Sequence, residues 1–358
     1  MKMIAEVTDG RNNNFNLLRI LAATAVMMSH SWPMVLGGSA IEPLDRETGY
    51  KLGICAVFVF FAISGFFIAK SFDRRASILD FCVARISRLY PALIVVVVLT
   101  VIILGVAFSS LSISDFFSHR EAWTYVPRNL TLRFNQATLP GVFDHNPYGN
   151  GINGSLWTLF YEVSCYVMVA VVGLLGMLRP RLFGIFLLFF LGIQIYLRWG
   201  NSADVRNNFA FLSVPFVTGM TCYVWREYVP LSAVLVLALA AVAILTRSTW
   251  VYHMAFPVAL GYASLWLGLI DWPIARKYNK VGDYSYGIYI YAFPVQQAIV
   301  SITGPINPWA LFATAFPITL AFAILSWKFV EYPALSRRHI LAKAFSMGAH
   351  RFRRGRLT

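Results

Sequence analysis

The stretch Tyr90-Pro-Ala-Leu-Ile-Val-Val-Val-Val-Leu-Thr-Val-Ile-Ile-Leu-Gly-Val-Ala-Phe108 runs for 19 residues without a charged side chain. A bilayer core about 30 Å thick is crossed by a helix of about 20 mainly apolar residues, so this run reads as a transmembrane span. Working outward from it, nine more segments of the same kind appear, at about 15–36, 52–71, 154–177, 182–199, 208–225, 230–246, 251–270, 282–303 and 308–332. Each is bounded by charge, Pro, Gly or Asn. The fold class expected is therefore all-α, a polytopic membrane helix bundle of about ten transmembrane helices. The run 15–36 could be taken for a signal peptide, but its apolar part is longer than the usual h-region and contains Arg19 and His30, so it reads as a span.

Composition agrees. Of 358 residues, 58% are hydrophobic and only 13% charged, where a soluble domain carries about 25% charge; mean hydropathy is +0.63. A soluble enzyme and a disordered chain are both excluded. The net charge of +14, from 30 Lys and Arg against 16 Asp and Glu, would suit nucleic acid or anionic lipid. The basic residues lie between apolar runs and not among stacking aromatics, so no nucleic acid partner is expected and membrane lipid is. With the N-terminus inside, the cytoplasmic loops carry 20 Lys and Arg and the external ones 8, with Arg19 and Lys328 inside spans. That asymmetry places both termini in the cytoplasm. A single membrane domain is expected over 1–358, its spans within 15–332, followed by a basic cytoplasmic tail at 333–358 whose Arg351, Arg353, Arg354 and Arg356 suit an anionic inner leaflet.

Cys55, Cys82, Cys165 and Cys222 show no C-x-x-C and no histidine at metal spacing, so they read as packing residues with no metal site. Ser109–Asn153 is the one long external connection, polar and carrying Asp144, His145, Asn146 and Asn150. No hydrolase elbow, phosphate-binding loop or internal repeat is visible.

Ionisable groups inside spans are costly and therefore candidates for function. Arg19 and His30 share the first span; eleven residues at about 100° each return to within about 20° of the starting direction, about 16 Å apart along the axis. Both line one face, Arg19 towards the cytoplasm and His30 towards the outside. Taken alone, Arg19 either snorkels to the headgroups or acts, and His30 either packs or acts. Glu162 enters from outside to a depth of about 12 Å, against about 9 Å for His30. A carboxylate beside a histidine would fix its tautomer and support a general base; equally, Glu162 could bond Ser, Tyr or Trp on neighbouring helices for structure alone. Arg85 and Arg88, at i and i+3, form either a phosphate fork or a plain positive-inside anchor. Ser64-Gly65 in the second span reads as close helix packing through small residues.

Taken together these segments resemble the acyltransferase 3 family of integral-membrane O-acyltransferases. The resemblance rests on Asn16-Leu-Leu-Arg19 with His30; Phe60-Phe61-Ala-Ile-Ser64-Gly65-Phe66-Phe67-Ile68; Arg85-Ile-Ser-Arg88-Leu-Tyr-Pro91; Gly154-Ser155-Leu156-Trp157 through Glu162; Ser285-Tyr286-Gly-Ile-Tyr289; and Phe329-Val-Glu331-Tyr-Pro333. It implies transfer of an acyl group, usually acetyl, from cytoplasmic acetyl-CoA or another acyl-CoA to a hydroxyl of an extracytoplasmic or lipid-linked saccharide such as a polysaccharide or lipopolysaccharide. It also implies a bacterial inner (cytoplasmic) membrane, catalytic roles for Arg19 and His30, and a donor-binding role for Arg85 and Arg88. The partners so implied are acyl-CoA, a saccharide or glycolipid acceptor, and either a second copy or glycan-assembly proteins. One departure stands out: where many members have histidine in a Leu-Trp-His-x-Pro type sequence, this chain has Ala292 in Tyr289-Ile-Tyr-Ala292-Phe-Pro294. A glycan or acyl-group transporter, with Arg19, His30 and Glu162 along its path, is the competing expectation, and a structural membrane subunit a third.

Overall fold

In the computed structural model, which describes residues 2–8, 13–74, 77–199 and 208–338, the chain is helical with no strand among the described residues. Arg351, Arg353, Arg354 and Arg356 of the tail, and Arg11, Arg75 and Arg206, lie outside the described residues. Ten helices of 13 residues or more occur among those described: α1 Phe15–Leu36, α2 Leu52–Asp73, α3 Ile78–Phe108, α4 Trp157–Leu174, α5 Pro180–Trp199, α6 Asn208–Val224, α7 Ala233–Leu245, α8 Tyr252–Leu269, α9 Ser285–Thr303 and α10 Pro308–Ser336. They coincide one for one with the ten apolar segments, and α2 to α5 and α10 are long and apolar enough to cross a bilayer. Exposed apolar side chains such as Leu188, Phe189, Leu237, Ile244 and Leu245 crowd α5 and α7, as expected of surfaces that meet lipid and not water. The protein is an integral membrane protein.

The largest difference from the expected boundaries is α3, which begins at Ile78 and not near residue 90. Ser77 caps it, its Oγ accepting from the Asp80 amide at 3.1 Å, and Pro91 sits inside the helix instead of opening it. Arg85 and Arg88 therefore stand on a continuous helix. Two wide turns interrupt the ladders, Thr100–Gly105 in α3 and Trp327–Glu331 in α10, both of π type. The Ser109–Asn153 connection is also more ordered than a polar loop: it contains the short helices Ile113–Ser118, capped by Ser112, and Arg120–Leu130, whose Tyr125 is buried.

The helices group into two compact units. The first holds residues 1–29, 41–73 and 157–285 and has α2 at its core, against α6, α8 and α4. Gly65 and Gly219 let α2 and α6 approach backbone to backbone, since a methyl on Gly65 would run into the Phe216 carbonyl and one on Gly219 into the Ala62 carbonyl. This is the small-residue packing read from Ser64-Gly65. The second unit holds residues 30–40, 74–156 and 286–358, with α3, α9, α10 and the Ser109–Asn153 connection. The four cysteines are free; Cys55, Cys165 and Cys222 are buried, whereas Cys82 is exposed on α3 and is not a packing residue.

Candidate active site

α1 is unbroken from Phe15 to Leu36 and carries both Arg19 and His30. Its residues up to Ser29 belong to the first unit and those from His30 to the second. In the second unit the His30 ring meets Phe293 of α9 edge to face, with centroids 5.2 Å apart and planes at 74°. Phe293 is itself buried and makes the same kind of contact with Tyr148, also at 5.2 Å. Beside it, the Gln296 amide donates to Ser31 Oγ at 2.7 Å. The residues just before α4 close over this part of α9. Asn146 donates to the Gln297 carbonyl and side-chain oxygens, each at 2.9 Å, and Gln297 donates to the Gly149 and Gly151 carbonyls at 3.0 and 2.7 Å. Asn153 donates through Nδ2 to the Ile290 carbonyl at 2.8 Å.

Arg88, also in the second unit, pairs with Glu331 at 3.4 Å; the carboxylate is 1% exposed and the arginine 24%. Ser326 donates to the other Glu331 oxygen at 3.0 Å, and the Arg88 guanidinium lies over the Tyr286 and Trp327 rings at 5.8 and 5.9 Å. Tyr286 in turn donates to the Leu89 carbonyl at 2.8 Å. Arg88 thus joins α3, α9 and α10, with Glu331 delivered by the π turn of α10. Arg85, one turn earlier on α3, lies over Phe81 at 6.0 Å.

In the first unit, Arg19 pairs with Asp283 at 3.4 Å and lies over Phe67 at 5.5 Å. Asp283 also caps the turn that leads into α9, accepting from Ser285 Oγ at 2.5 Å and from its amide at 3.3 Å. Burial, with the charge of Asp283, pushes the nearby Tyr278 hydroxyl up to about 12, so it stays protonated at physiological pH and adds no second negative charge there. Glu162 of α4 accepts from Tyr166 one turn along the same helix and from Ser64 of α2 at 3.4 Å. One of these bonds lies within α4 and the other crosses to α2.

The sequence pointed to the arginines but not to the acids that meet them. Asp283 was not singled out, Glu331 appeared only within a matching segment, and Asn153 and Phe293 had no role. The available signal was arithmetic: arginines half-buried in or beside apolar runs need acidic partners, and acidic residues are scarce.

The profile of an acyltransferase domain family, acyltransferase 3, matches residues 12–328. Over 342 residues the chain is 28% identical to a protein named O-acetyl transferase from Shigella phage Sf6, a similarity that takes in 91% of this chain and 97% of that protein. It is 26% identical over 395 residues to a protein named Nodulation protein 10 from Rhizobium leguminosarum bv. viciae, covering 96% of this chain and 98% of that one. No solved structure matches the chain.

Proposed function

The chain belongs to the acyltransferase 3 family and is an acyltransferase, and from that premise we propose that it transfers acetyl from cytoplasmic acetyl-CoA to a hydroxyl of an extracytoplasmic or lipid-linked saccharide. The observation that carries this reading is the match to the family over 12–328 in a chain that keeps Arg19 and His30 on one unbroken helix. The full-length similarity to a protein named O-acetyl transferase favours acetyl and an oxygen acceptor, and membership of an acyltransferase family favours this over a transporter. We place the protein in a bacterial inner membrane with ten spans and both termini cytoplasmic, as the charge asymmetry supports.

In the reaction, the acceptor hydroxyl oxygen attacks the thioester carbonyl carbon, the C–S bond breaks, and the hydroxyl proton passes to His30 while CoA leaves and takes up a proton. An imidazole nitrogen can take up such a proton as a general base. Arg85 and Arg88 hold the anionic CoA phosphates at the cytoplasmic end of α3, with Glu331 fixing the Arg88 fork. Arg19, aligned by Asp283, supports the donor side of α1, and Glu162, bonded to Ser64 and Tyr166, is a polar positioning group. The test is transfer of label from [14C]acetyl-CoA to endogenous glycan in inside-out membrane vesicles. Alkali-labile label that requires the protein and His30 is expected; equal labelling with His30→Ala would overturn the base assignment.

A further inference from the structure

Proline in a helix leaves a carbonyl behind it without a donor. Pro294 lies inside α9, one turn after Ile290, and the amide it lacks is the one that would have bonded the Ile290 carbonyl. In apolar surroundings an unmet carbonyl is expensive, and such prolines are tolerated where neighbouring groups supply the bond. Here the supplier is Asn153, whose Nδ2 donates to Ile290 O at 2.8 Å. Its Oδ1 meanwhile accepts from the Ser155 amide at 3.2 Å, so one side chain ties the Ile290–Pro294 turn of α9 to the turn before α4.

The residue next to Pro294 is Phe293, 1% exposed. The turn that Asn153 fixes brings Gly154 directly against this ring: a Cβ on Gly154 would lie 2.5 Å from Phe293 Cε2. The ring cannot yield cheaply, since His30 stands edge to face on it and Tyr148 packs against it as well. Asn153 therefore sets the position of Phe293 twice, through the backbone it caps and through the glycine that follows it, and Phe293 is the surface against which the His30 ring rests.

We propose that Asn153 is a positioning residue for the transfer reaction: by donating to the carbonyl that Pro294 leaves open, it holds Phe293 against His30 and so fixes the orientation of the imidazole. The proposal rests on the reading of His30 as the base. Ångström-scale misplacement of a reacting group costs rate without necessarily costing binding. Loss of the Asn153 donor thus lowers kcat and leaves the KM for acetyl-CoA unchanged.

The bond itself suggests the test, because Pro294→Ala restores the missing amide and makes the Asn153 donor redundant. Asn153→Asp keeps the oxygen that accepts from Ser155 and puts a carboxylate oxygen, with its negative charge, where the Nδ2 donor stood. In inside-out vesicles with [14C]acetyl-CoA and endogenous glycan, at matched amounts of folded protein, Asn153→Asp is expected to lower kcat by about tenfold to a hundredfold. Pro294→Ala alone stays near wild type, and the pair recovers to within about threefold of it, a coupling that independent sites do not show. Gly154→Ala, which leaves the Asn153 bond in place but crowds Phe293, is expected to lower kcat in the same way. An Asn153→Asp loss that persists undiminished with Pro294→Ala, or that falls on protein yield with kcat intact, would overturn the proposal.

A second readout does not depend on the reaction. In histidine-labelled protein the His30 ring signal, assigned by its disappearance in His30→Gln, should move in Asn153→Asp and return in the pair; an unmoved signal overturns the proposal even if the protein acetylates nothing. Activity that survives His30→Ala would instead strike the base assignment itself.

Discussion

In the first unit α2 and α6 meet at Gly65 and Gly219, where backbone touches backbone; in the second, α3, α9 and α10 are joined by Arg88 and Glu331, and Asn146, Asn153 and Gln297 tie the Ser109–Asn153 connection to α9. The difference follows from what lipid does and does not supply. Lipid tails give no hydrophobic drive for one helix to join another, so helices associate by close approach of small residues or by polar bonds across the interface. The first kind of contact brings two backbones together without a charged group between them, although the same unit also holds the Arg19–Asp283 pair. The second leaves charged and amide groups at fixed points, and it is in the second unit that His30 and the arginine pair of α3 lie. Glu162, bonded to Ser64 across α2 and α4, shows that the first unit also has a polar contact beside its glycines.

Breaking each kind of contact should cost different amounts. Removing the arginine of a buried pair leaves its acid uncompensated, which typically costs about 3–5 kcal/mol, so Arg88→Ala should sharply lower the unfolding temperature of the detergent-solubilised protein. Adding Glu331→Gln should recover a good part of the loss, because the stranded charge is gone; no recovery would mean that Arg88 holds the helices mainly through Tyr286 and Trp327. Gly65→Ala should cost about 1–3 kcal/mol by forcing α2 and α6 apart, seen as reduced thermal stability with the rate per folded molecule little changed. Arg85→Ala should leave the fold intact and weaken acetyl-CoA about tenfold, about 1.4 kcal/mol, measured as KM; an unchanged KM would make Arg85 a topological anchor. Cys82→Ser, on the exposed side of α3, should shift stability by less than about 0.5 kcal/mol.

The helices were legible because an apolar run in a membrane protein answers to one physical demand: a helix of 13 residues or more overlaps each of the ten apolar segments, and five are long and apolar enough to cross a bilayer. The boundary most in error was the start of α3. Pro91 reads as a helix start, yet α3 runs through it from the Ser77 cap. The helix Arg120–Leu130 was likewise hidden, with Pro127 inside it. Candidate site residues were legible singly, as charges in apolar surroundings. Their partners were not, because the pairs join residues far apart in the chain: Arg19 and Asp283 are 264 positions apart, Arg88 and Glu331 243. Only folding brings such residues together, and a single sequence carries no record of it. Asn153 was hidden for another reason: its role is set by an amide that Pro294 lacks, and asking where that carbonyl finds its donor would have led to it.

The most direct test of the account is the ester-linked acetyl released by mild alkali from the surface glycans of cells that lack the protein, express it, or express His30→Ala at equal membrane abundance. Acetate restored by the wild-type chain and lowered by about 10²–10⁴ in the His30 variant is the predicted result. Unchanged acetate in all three, accompanied by altered glycan export, would contradict it.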